Sequence, residues 1–433
     1  MHRIPQSDHD GKHIIVVHQW EDRYAHYEDY FDHRDAPVSY VITPVGASSV
    51  PSTAADVVVV PRTGDIPLMR STVSSLAERF GRPRAIIALK ESVLPIVAQL
   101  REEFGAAGRR AGDLHRFLYK DAMVAAVQEL DLETPRTAAA ATLEDILAFG
   151  RTAGWPVVIK PVRGSASEGV HILRSPAAAR NVRIDPGKPM LVQEFLPYPI
   201  VVVDGVWHGS AEGPWRMSRY VGNCLSFRHG APLGFVEVDD ARTNAAMGAY
   251  LEKLLPGLCD ETFVYHLELF QVDEGDNCDP RFVFLEIAAR VGGAETPFLW
   301  REVHGLDLMA VECELQLGRQ PSALSDIGGG VAGYLLMPTP RQRPCRVTQS
   351  MSMLGPGGPY AEKVLKAGEI IPASEAFYEH VGGRFRFRGS STAEVEASIR
   401  RVAAQFDIQT VGLEVTEGAA CLPAQNNRTR ISA

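Results

Sequence analysis

The first hundred residues alternate short apolar runs with longer stretches of helical periodicity. Each run is rich in β-branched residues and is followed by a polar or proline-containing turn, as is typical of strands that a parallel sheet buries on both faces. The intervening stretches repeat apolar residues with the period of a helix, so they can cover that sheet. The sequence therefore predicts an α/β domain at the amino end. The runs are HIIVVH at 13–18, VSYVITP at 38–44, DVVVVP at 56–61 and RAIIAL at 84–89.

The length and charge of the chain limit its class. Its 433 residues exceed what one core usually supports, which predicts about three domains. A formal net charge of −9 disfavours a nucleic-acid partner, because such a surface needs a basic face. No run has the length of a membrane span, and the first residues lack the apolar core of a secretion signal. We therefore expect a cytoplasmic protein with no membrane partner.

One lysine ends a predicted strand in the segment GWPVVIKPVRGSASEGVHIL, residues 154–173. The strand period places Lys160 on the same face as Val158, where burial of an ammonium group is costly unless an anion is near. The loop that follows offers backbone N–H groups and hydroxyls of the kind that cover phosphates. Two interpretations stay open from this segment alone: a phosphate ligand, or a lysine that reaches water beside an ordinary surface turn.

Two apolar strands, at 263–271 and 281–290, flank a polar loop. A hairpin centred on Asn277 would place Glu268 opposite Glu286, with Cβ atoms ~5 Å apart. Two negative charges at that distance repel by about 3 kcal/mol at an effective dielectric constant of about 20. A hard divalent cation, completed by water and phosphate oxygens, would compensate. An asymmetric loop or a frayed end would instead separate the pair.

An arginine follows on the same strand. Arg290 shares strand parity with Glu286, so its guanidinium can lie beside a metal and face a developing oxyanion.

Five motifs, in this order and at similar separations, resemble the ATP-grasp superfamily and, within it, the carboxylate–amine ligases that include L-amino acid ligases. The motifs are FLYKDAM, VVIKPVRGSASEGV, LVQEFL, HLELF and LEIAARVGG. The resemblance implies ATP and Mg²⁺ as cofactors, with Mn²⁺ as a substitute metal. It implies that Glu268 and Glu286 bind the metal and that Arg290 stabilises the reacting acyl centre. The implied nucleotide ligands are Lys120 and Lys160 at the phosphates, Ser165, Ser167 and Gly169 in the covering loop, and Gln193, Glu194, Phe195 and Leu196 at the hinge beside adenine.

Three positions depart from the pattern of the superfamily. Tyr119 stands where an aspartate often precedes the first lysine, and Ala288 stands where an asparagine is common after the second metal-binding glutamate. The segment PYPIVVVDG lacks the usual Gly-x-Glu after the hinge. These departures leave open the number of metal ions and some of the ribose or amine contacts.

The resemblance implies an ATP-grasp architecture with a Rossmann-like first domain. We predict an α/β domain at 1–112, a helical linker and lid at 113–206, a larger α+β domain with metal and substrates at 207–320, and an extension at 321–433. The implied reaction joins a small-molecule carboxylate to an amine through an acyl phosphate, with amino acids as the expected substrates. A homodimer is compatible with the resemblance. The alternatives are an ATP-grasp carboxylase or phosphotransferase, and a nucleotide-binding module without catalysis.

Overall fold

The structure is a computed structural model, and its described residues form four sheets. No helix within this part of the chain is both long and apolar enough to cross a membrane. The described residues are 11–20, 24–185, 187–209, 212–272, 279–321, 324, 327–373 and 380–413.

The first sheet is parallel and has the strand order β3-β2-β1-β4. One of its faces packs against α2 and α3, and the other packs against α11 of the larger domain. This arrangement confirms the α/β domain that the apolar runs predict. Its elements are β1 (Ile14–His18), α1 (Tyr27–Tyr30), β2 (Val38–Ile42), β3 (Asp56–Val59), α2 (Ile66–Phe80), β4 (Ala85–Ala88) and α3 (Leu94–Phe104).

Two short helices connect this domain to the lid, α4 (Ala111–Leu118) and α5 (Lys120–Gln128). The apolar periodicity of residues 114–130 predicts one continuous helix, and the structure corrects that expectation. Tyr119 is extended, with φ −113° and ψ 116°, and the backbone N–H of Lys120 donates to Val162 O of the lid at 3.0 Å. This hydrogen bond to the lid replaces the one that the Lys120 N–H would make within a continuous helix, because the chain turns toward the lid at Tyr119.

The lid is a four-stranded antiparallel sheet with the order β5-β8-β6-β7. Helix α6 begins with a reciprocal capping box between Thr142 and Asp145 and packs on the sheet through Ile146. The lid elements are β5 (Thr137–Ala139), α6 (Leu143–Ala153), β6 (Val157–Pro161), β7 (His171–Leu173), α7 (Pro176–Ala179) and β8 (Met190–Glu194).

The largest sheet has eight antiparallel strands in the order β13-β12-β9-β10-β11-β14-β18-β16. A separate three-stranded sheet, β17-β15-β19, completes the carboxyl-terminal part of the described chain. The elements are β9 (Ile200–His208), β10 (Glu212–Val221), α8 (Cys224–Arg228), β11 (Leu233–Glu237), α9 (Ala241–Leu258), β12 (Thr262–Val272), β13 (Arg281–Ala288), α10 (Thr296–Glu302), α11 (Leu308–Gln316), β14 (Val331–Pro338), β15 (Cys345–Ser350), β16 (Ala361–Val364), β17 (Ile370–Ile371), β18 (Val381–Gly389), α12 (Thr392–Gln405) and β19 (Ile408–Gly412).

Two of the predicted domain limits cut through this sheet. The limit between 206 and 207 falls inside β9, which pairs with β10 and β12 along its length. The limit between 320 and 321 separates β14 from β11, to which it is joined by hydrogen bonds, and so divides the sheet into two parts. Strand periodicity cannot show which sheet a strand enters, because pairing partners lie far apart in the chain.

The apolar periodicity of residues 300–318 predicts one helix, but the structure has two helices there. Gly305 has φ +76°, and Asp307 caps α11 by accepting from the backbone N–H groups of Met309 and Ala310 at 3.0 and 3.3 Å. The interruption separates α10 from α11, which packs on the first sheet.

Candidate functional site

The predicted hairpin register is confirmed around the two glutamates. Strands β12 and β13 pair Glu268 directly with Glu286, and the register then shifts so that Leu269 faces Phe284. The extra residue, Leu285, makes a β-bulge beside the carboxylates, and such bulges are often found next to active sites. The predicted turn residue, Asn277, lies outside the described residues.

Glu268 is held by residues that sequence reasoning missed. Tyr220 Oη donates to Glu268 Oε1 at 3.1 Å, and His266 Nε2 lies 3.8 Å from the same oxygen. His266 Nδ1 contacts Asp204 Oδ1 at 2.8 Å, and this carboxylate outweighs burial to raise the pKa of the imidazole. Burial raises the pKa of Glu268, and the charge of Glu286 raises it further.

Glu286 has the opposite electrostatic setting. Lys120 Nζ lies 3.0 Å from its Oε2 and also donates to Gly164 O at 2.8 Å. Burial alone would raise the pKa of Glu286, but the ammonium groups of Lys120 and Lys160 outweigh it and lower that pKa. Glu268 therefore favours its protonated form, whereas Glu286 favours its ionised form.

Lys160 is buried at 4% exposure near the end of β6. Its Nζ donates to Gln193 Oε1 at 3.0 Å, and Gln193 Nε2 in turn donates to Thr137 Oγ1 at 3.0 Å. Burial lowers the pKa of Lys160 to about 8. The negative charge of Glu286 opposes this shift, and the positive charge of Lys120 adds to it. Of the two interpretations of this lysine, the structure excludes the exposed surface position.

Arg290 contacts the first domain rather than either glutamate. Its Nε and Nη2 both lie 2.8 Å from Glu91 Oε2, and its Nη1 donates to Val291 O at 2.9 Å. Burial would lower the pKa of the guanidinium, but Glu91 outweighs it and raises that pKa. Glu286 is among the charges that act on Arg290. Glu91 was missed because nothing in the sequence near it indicates a partner two hundred residues away.

Gly292, two residues after Arg290, lies where no side chain can be accommodated. A Cβ built there would lie 2.3 Å from Asp204 Oδ1 and 2.9 Å from His266 Nδ1. Both distances are too short for a side chain, so only glycine lets this backbone pass over the Asp204–His266 pair.

The predicted covering loop follows β6 and has an unusual backbone. Ala166 and Ser167 have φ of 54° and 56°, a left-handed conformation that costs free energy in residues other than glycine. Gly169 has φ +69°, Ser165 is exposed and Ser167 is partly buried. Arg228 of the larger domain donates to Ala166 O at 3.2 Å, so the loop touches both sides of the cleft.

The predicted hinge residues have mixed surroundings. Gln193 is buried, whereas Phe195 and Leu196 are partly exposed. The Glu194 carboxylate accepts from Arg136 Nε at 2.7 Å and from its backbone N–H at 2.8 Å, and the Glu194 N–H donates to Arg136 O. The side chain and N–H of Glu194 are therefore committed to the lid sheet.

The donor set fits a hard divalent cation. Two opposed carboxylates supply the oxygen ligands that Mg²⁺ prefers, and an adjacent pair of lysines suits phosphate. No group of three His, Cys, Asp or Glu side chains converges as a metal site within the described residues. A cation bound here would thus take its other ligands from water and phosphate.

No protein-family model matches the chain. Dapdiamide A synthase of Enterobacter agglomerans is 25% identical over 166 residues, which are 35% of this chain and 37% of that protein. The chain thus matches little more than a third of the length of this curated relative.

Solved structures match almost the whole chain. An L-amino acid ligase from Bacillus licheniformis has a TM-score of 0.67 at 16% identity, covering 93% of this chain and 99% of its own. The biotin carboxylase domain of a 2-oxoglutarate carboxylase from Hydrogenobacter thermophilus, solved with MgADP, ADP and bicarbonate, has a TM-score of 0.67 at 13% identity, covering 92% and 91%. The predicted resemblance is confirmed at the level of the fold, and the chain has the ATP-grasp fold.

Proposed function

We propose that this protein is an ATP-dependent ligase that joins a carboxylate to an amine, with amino acids as its substrates. The observation that carries the proposal is the opposed pair Glu268 and Glu286 with Lys120 and Lys160 beside it, at the junction of the lid and the large sheet. The sequence similarity to dapdiamide A synthase supports ligation over other ATP-grasp reactions, whereas the L-amino acid ligase and the biotin carboxylase domain match the fold equally well.

The nucleotide would lie between the lid and the large sheet. Lys120 and Lys160 would bind its phosphates in exchange for their present contacts with Gly164 O and Gln193 Oε1. The loop with Ser165, Ser167 and Gly169 would cover the phosphates through backbone N–H groups and hydroxyls. The hinge, Gln193, Glu194, Phe195 and Leu196, would line adenine, with Phe195 and Leu196 giving apolar contact and Glu194 only its carbonyl.

The metal would be held by Glu268 and Glu286. When bound, Mg²⁺ or Mn²⁺ neutralises the charge on the phosphates during transfer. Tyr220 and His266 orient the Glu268 carboxylate toward this position, and Asp204 fixes the imidazole of His266.

The reaction would run in two steps. An oxygen of the substrate carboxylate attacks the γ-phosphorus of ATP, the bond to the β-phosphate oxygen breaks, and an acyl phosphate and ADP form. The amine then attacks the acyl carbon and loses a proton, and phosphate leaves. Positioning and charge neutralisation account for most of such catalysis, so no protein nucleophile is needed. Arg290, fixed by Glu91, would stabilise the oxyanion at the acyl carbon.

The experiment is a matrix of amino acid pairs with ATP and Mg²⁺, read by ADP, phosphate and product mass. The proposal expects ADP and phosphate in equal amounts, dependent on both an acceptor amine and a carboxylate, and a hydroxamate when hydroxylamine replaces the amine. Release that requires bicarbonate would favour a carboxylase, as the similarity to biotin carboxylase allows. Phosphorylated product would indicate a phosphotransferase, and ATP binding without turnover would indicate a silent module. Each of these three outcomes would overturn the proposal.

A further inference from the structure

The strand order of the first sheet determines where a ligand can bind to it. Strands β2 and β3 lie on one side of β1, and β4 lies on the other side. The helix after β1, α1, packs on one face of the sheet, whereas α3, which follows β4, packs on the opposite face. Open parallel sheets bind ligands outside the carboxyl ends of the strands, at the point where the connections part in this way. The binding edge of this sheet is therefore at the ends of β1 and β4.

This edge faces the candidate catalytic centre. Strand β4 ends at Ala88, and Glu91, three residues later, holds Arg290 through two contacts of 2.8 Å. The first sheet thus contributes one wall of the region in which the carboxylate substrate would react.

Lys90 lies at the same edge, one residue before Glu91. Its backbone is extended, with φ −94° and ψ 126°, so its side chain and that of Glu91 project in different directions. The side chain is partly exposed, so a ligand can reach it. Burial lowers the pKa of His18, the last residue of β1, to about 4, and the positive charge of Lys90 adds to that shift. The ammonium group of Lys90 therefore acts across the gap between β4 and β1.

Among the described residues, no negative charge neutralises the ammonium group of Lys90, and it makes no side-chain hydrogen bond there. Its neighbour His18 is neutral. His18 Nε2 lies 2.8 Å from Trp20 O, and because a carbonyl oxygen only accepts, the proton is on Nε2 and Nδ1 accepts from Tyr27 Oη at 3.1 Å. Burial lowers the pKa of Lys90, and within the described part of the chain no carboxylate opposes that shift.

The two cations at this edge therefore differ in what they can bind. Arg290 already has a carboxylate partner, Glu91, and the proposed function places it at the reacting carboxylate. Lys90 has no such partner among the described residues, and a partly buried ammonium group without an anion costs free energy that a carboxylate restores. The Cα atoms of Lys90 and Glu91 are ~4 Å apart, as in any pair of adjacent residues. One substrate molecule can therefore contact Arg290 and Lys90 with two different groups.

We propose that Lys90 is a specificity-determining residue that binds a second carboxylate of a substrate, one that does not react. This inference rests on the proposed function and deepens it, because it names the charge that an amino acid substrate carries. Two sources of the carboxylate share this chemistry: the side chain of an acidic amino acid, and the α-carboxylate of the amino acid that supplies the amine. An amide in either place would leave the ammonium group unpaired, which is how a charged site discriminates between two molecules of similar shape.

The test is calorimetry of the full chain with Mg²⁺ and a non-hydrolysable ATP analogue, in which each acid is compared with its amide. L-Aspartate and L-glutamate against L-asparagine and L-glutamine test the side chain, and L-alanine against L-alaninamide tests the α-carboxylate. At least one acid should bind about tenfold or more tightly than its amide, the effect of one charged hydrogen bond, and Lys90→Met should lose that preference. The pair of probes that shows the preference identifies the source of the carboxylate.

Three further variants serve as controls. Lys90→Arg keeps the charge and should keep the preference for the acid. Lys12→Met is the matched control, because Lys12 lies in the same domain in an exposed ion pair with Asp35, and it should bind every probe as the unaltered chain does. Arg290→Ala should retain the preference that Lys90 sets.

A preference that persists in Lys90→Met, or that only Arg290→Ala removes, would assign the carboxylate to another group and overturn the proposal. Equal binding, or no binding, of every acid and its amide by the unaltered chain would also overturn it, and that result needs no variant to fold. Turnover distinguishes this failure from a failure of the proposed function. Amide bonds formed without an acid preference would keep the ligase and exclude the role of Lys90, whereas a Lys90-dependent preference without amide formation would keep the binding role and exclude the ligase.

Discussion

The two sides of the candidate catalytic centre hold their charges differently. On the lid side, Lys160 donates to an uncharged amide oxygen, and Lys120 divides its hydrogen bonds between a backbone carbonyl and Glu286. On the side of the first domain, Arg290 places two nitrogens 2.8 Å from one oxygen of Glu91. The lysines thus have partners that a phosphate can replace, whereas Arg290 is fixed before any substrate binds.

This difference indicates when each group acts. A lysine that meets phosphates already charged in ATP contributes to binding in the ground state. An arginine held at an acyl centre contributes most when oxygen there becomes anionic, which is in the chemical step. Glu286 lies between the two sides, because it contacts Lys120 and is also among the charges acting on Arg290.

The largest expected effect is at Glu286. Glu286→Gln removes one charge from the metal pair and the counter-charge of Lys120, so Mg²⁺-dependent turnover should fall by roughly 1,000-fold while the fold persists. ADP formation against Mg²⁺ concentration at saturating ATP measures this. Glu252→Gln, an exposed glutamate on α9, is the matched control and should have normal turnover. A Glu286→Gln enzyme with normal turnover and normal Mg²⁺ dependence would exclude the metal assignment.

A pair of variants separates the two sides directly. Arg290→Ala should retain ATP affinity but lose about 100-fold in turnover, as when one oxyanion donor is removed. Lys160→Ala should instead weaken ATP binding by about tenfold or more, because it loses a charged contact made in the ground state. Calorimetric ATP affinity and amine-dependent phosphate release are measured for both variants. If Arg290→Ala lost ATP affinity while turning over normally at saturating ATP, Arg290 would be a phosphate ligand and the two sides would not differ.

The smallest expected effect is a proton taken up at Lys160. Burial lowers the pKa of this lysine to about 8, so at pH about 9 much of it is neutral in the free protein. A bound phosphate favours the ammonium form and raises that pKa, so ATP binding should take up as much as one proton, and ATP affinity should fall as pH rises above about 8. Calorimetry at pH about 9 in buffers of different ionisation enthalpy counts the proton.

Lys160→Met provides the control for this proton. The variant should bind ATP more weakly and without the uptake at that site. Identical proton uptake in Lys160→Met and in the unaltered chain would assign the proton to another group and contradict the role given to Lys160.

Local patterns were sufficient for much of this molecule. The β-branched runs predicted the first sheet, because a strand buried on both faces requires continuous apolar residues whatever else the chain does. The opposition of Glu268 and Glu286 was predicted from a symmetric hairpin, but the ladder beside the loop is offset by one residue, and the bulge at Leu285 restores the predicted pairing at the glutamates. The motif order predicted the ATP-grasp fold. The segment around Lys160 left two interpretations open, a phosphate ligand or a lysine that reaches water, and the burial of the side chain excludes the second.

The tertiary structure alone decided what depends on residues far apart in the chain. Tyr119 interrupts the continuous helix predicted at 114–130, a segment with no proline or glycine, because the backbone N–H of Lys120 donates to the lid and not to a carbonyl of the helix. The contact of Glu91 with Arg290 joins two domains, and the Arg101 guanidinium of α3 donates to Gln316 Oε1 only because α3 and α11 pack together. The physical reason is that periodicity reports which face of an element is buried, whereas the partner across that face is chosen by the packing of the whole chain.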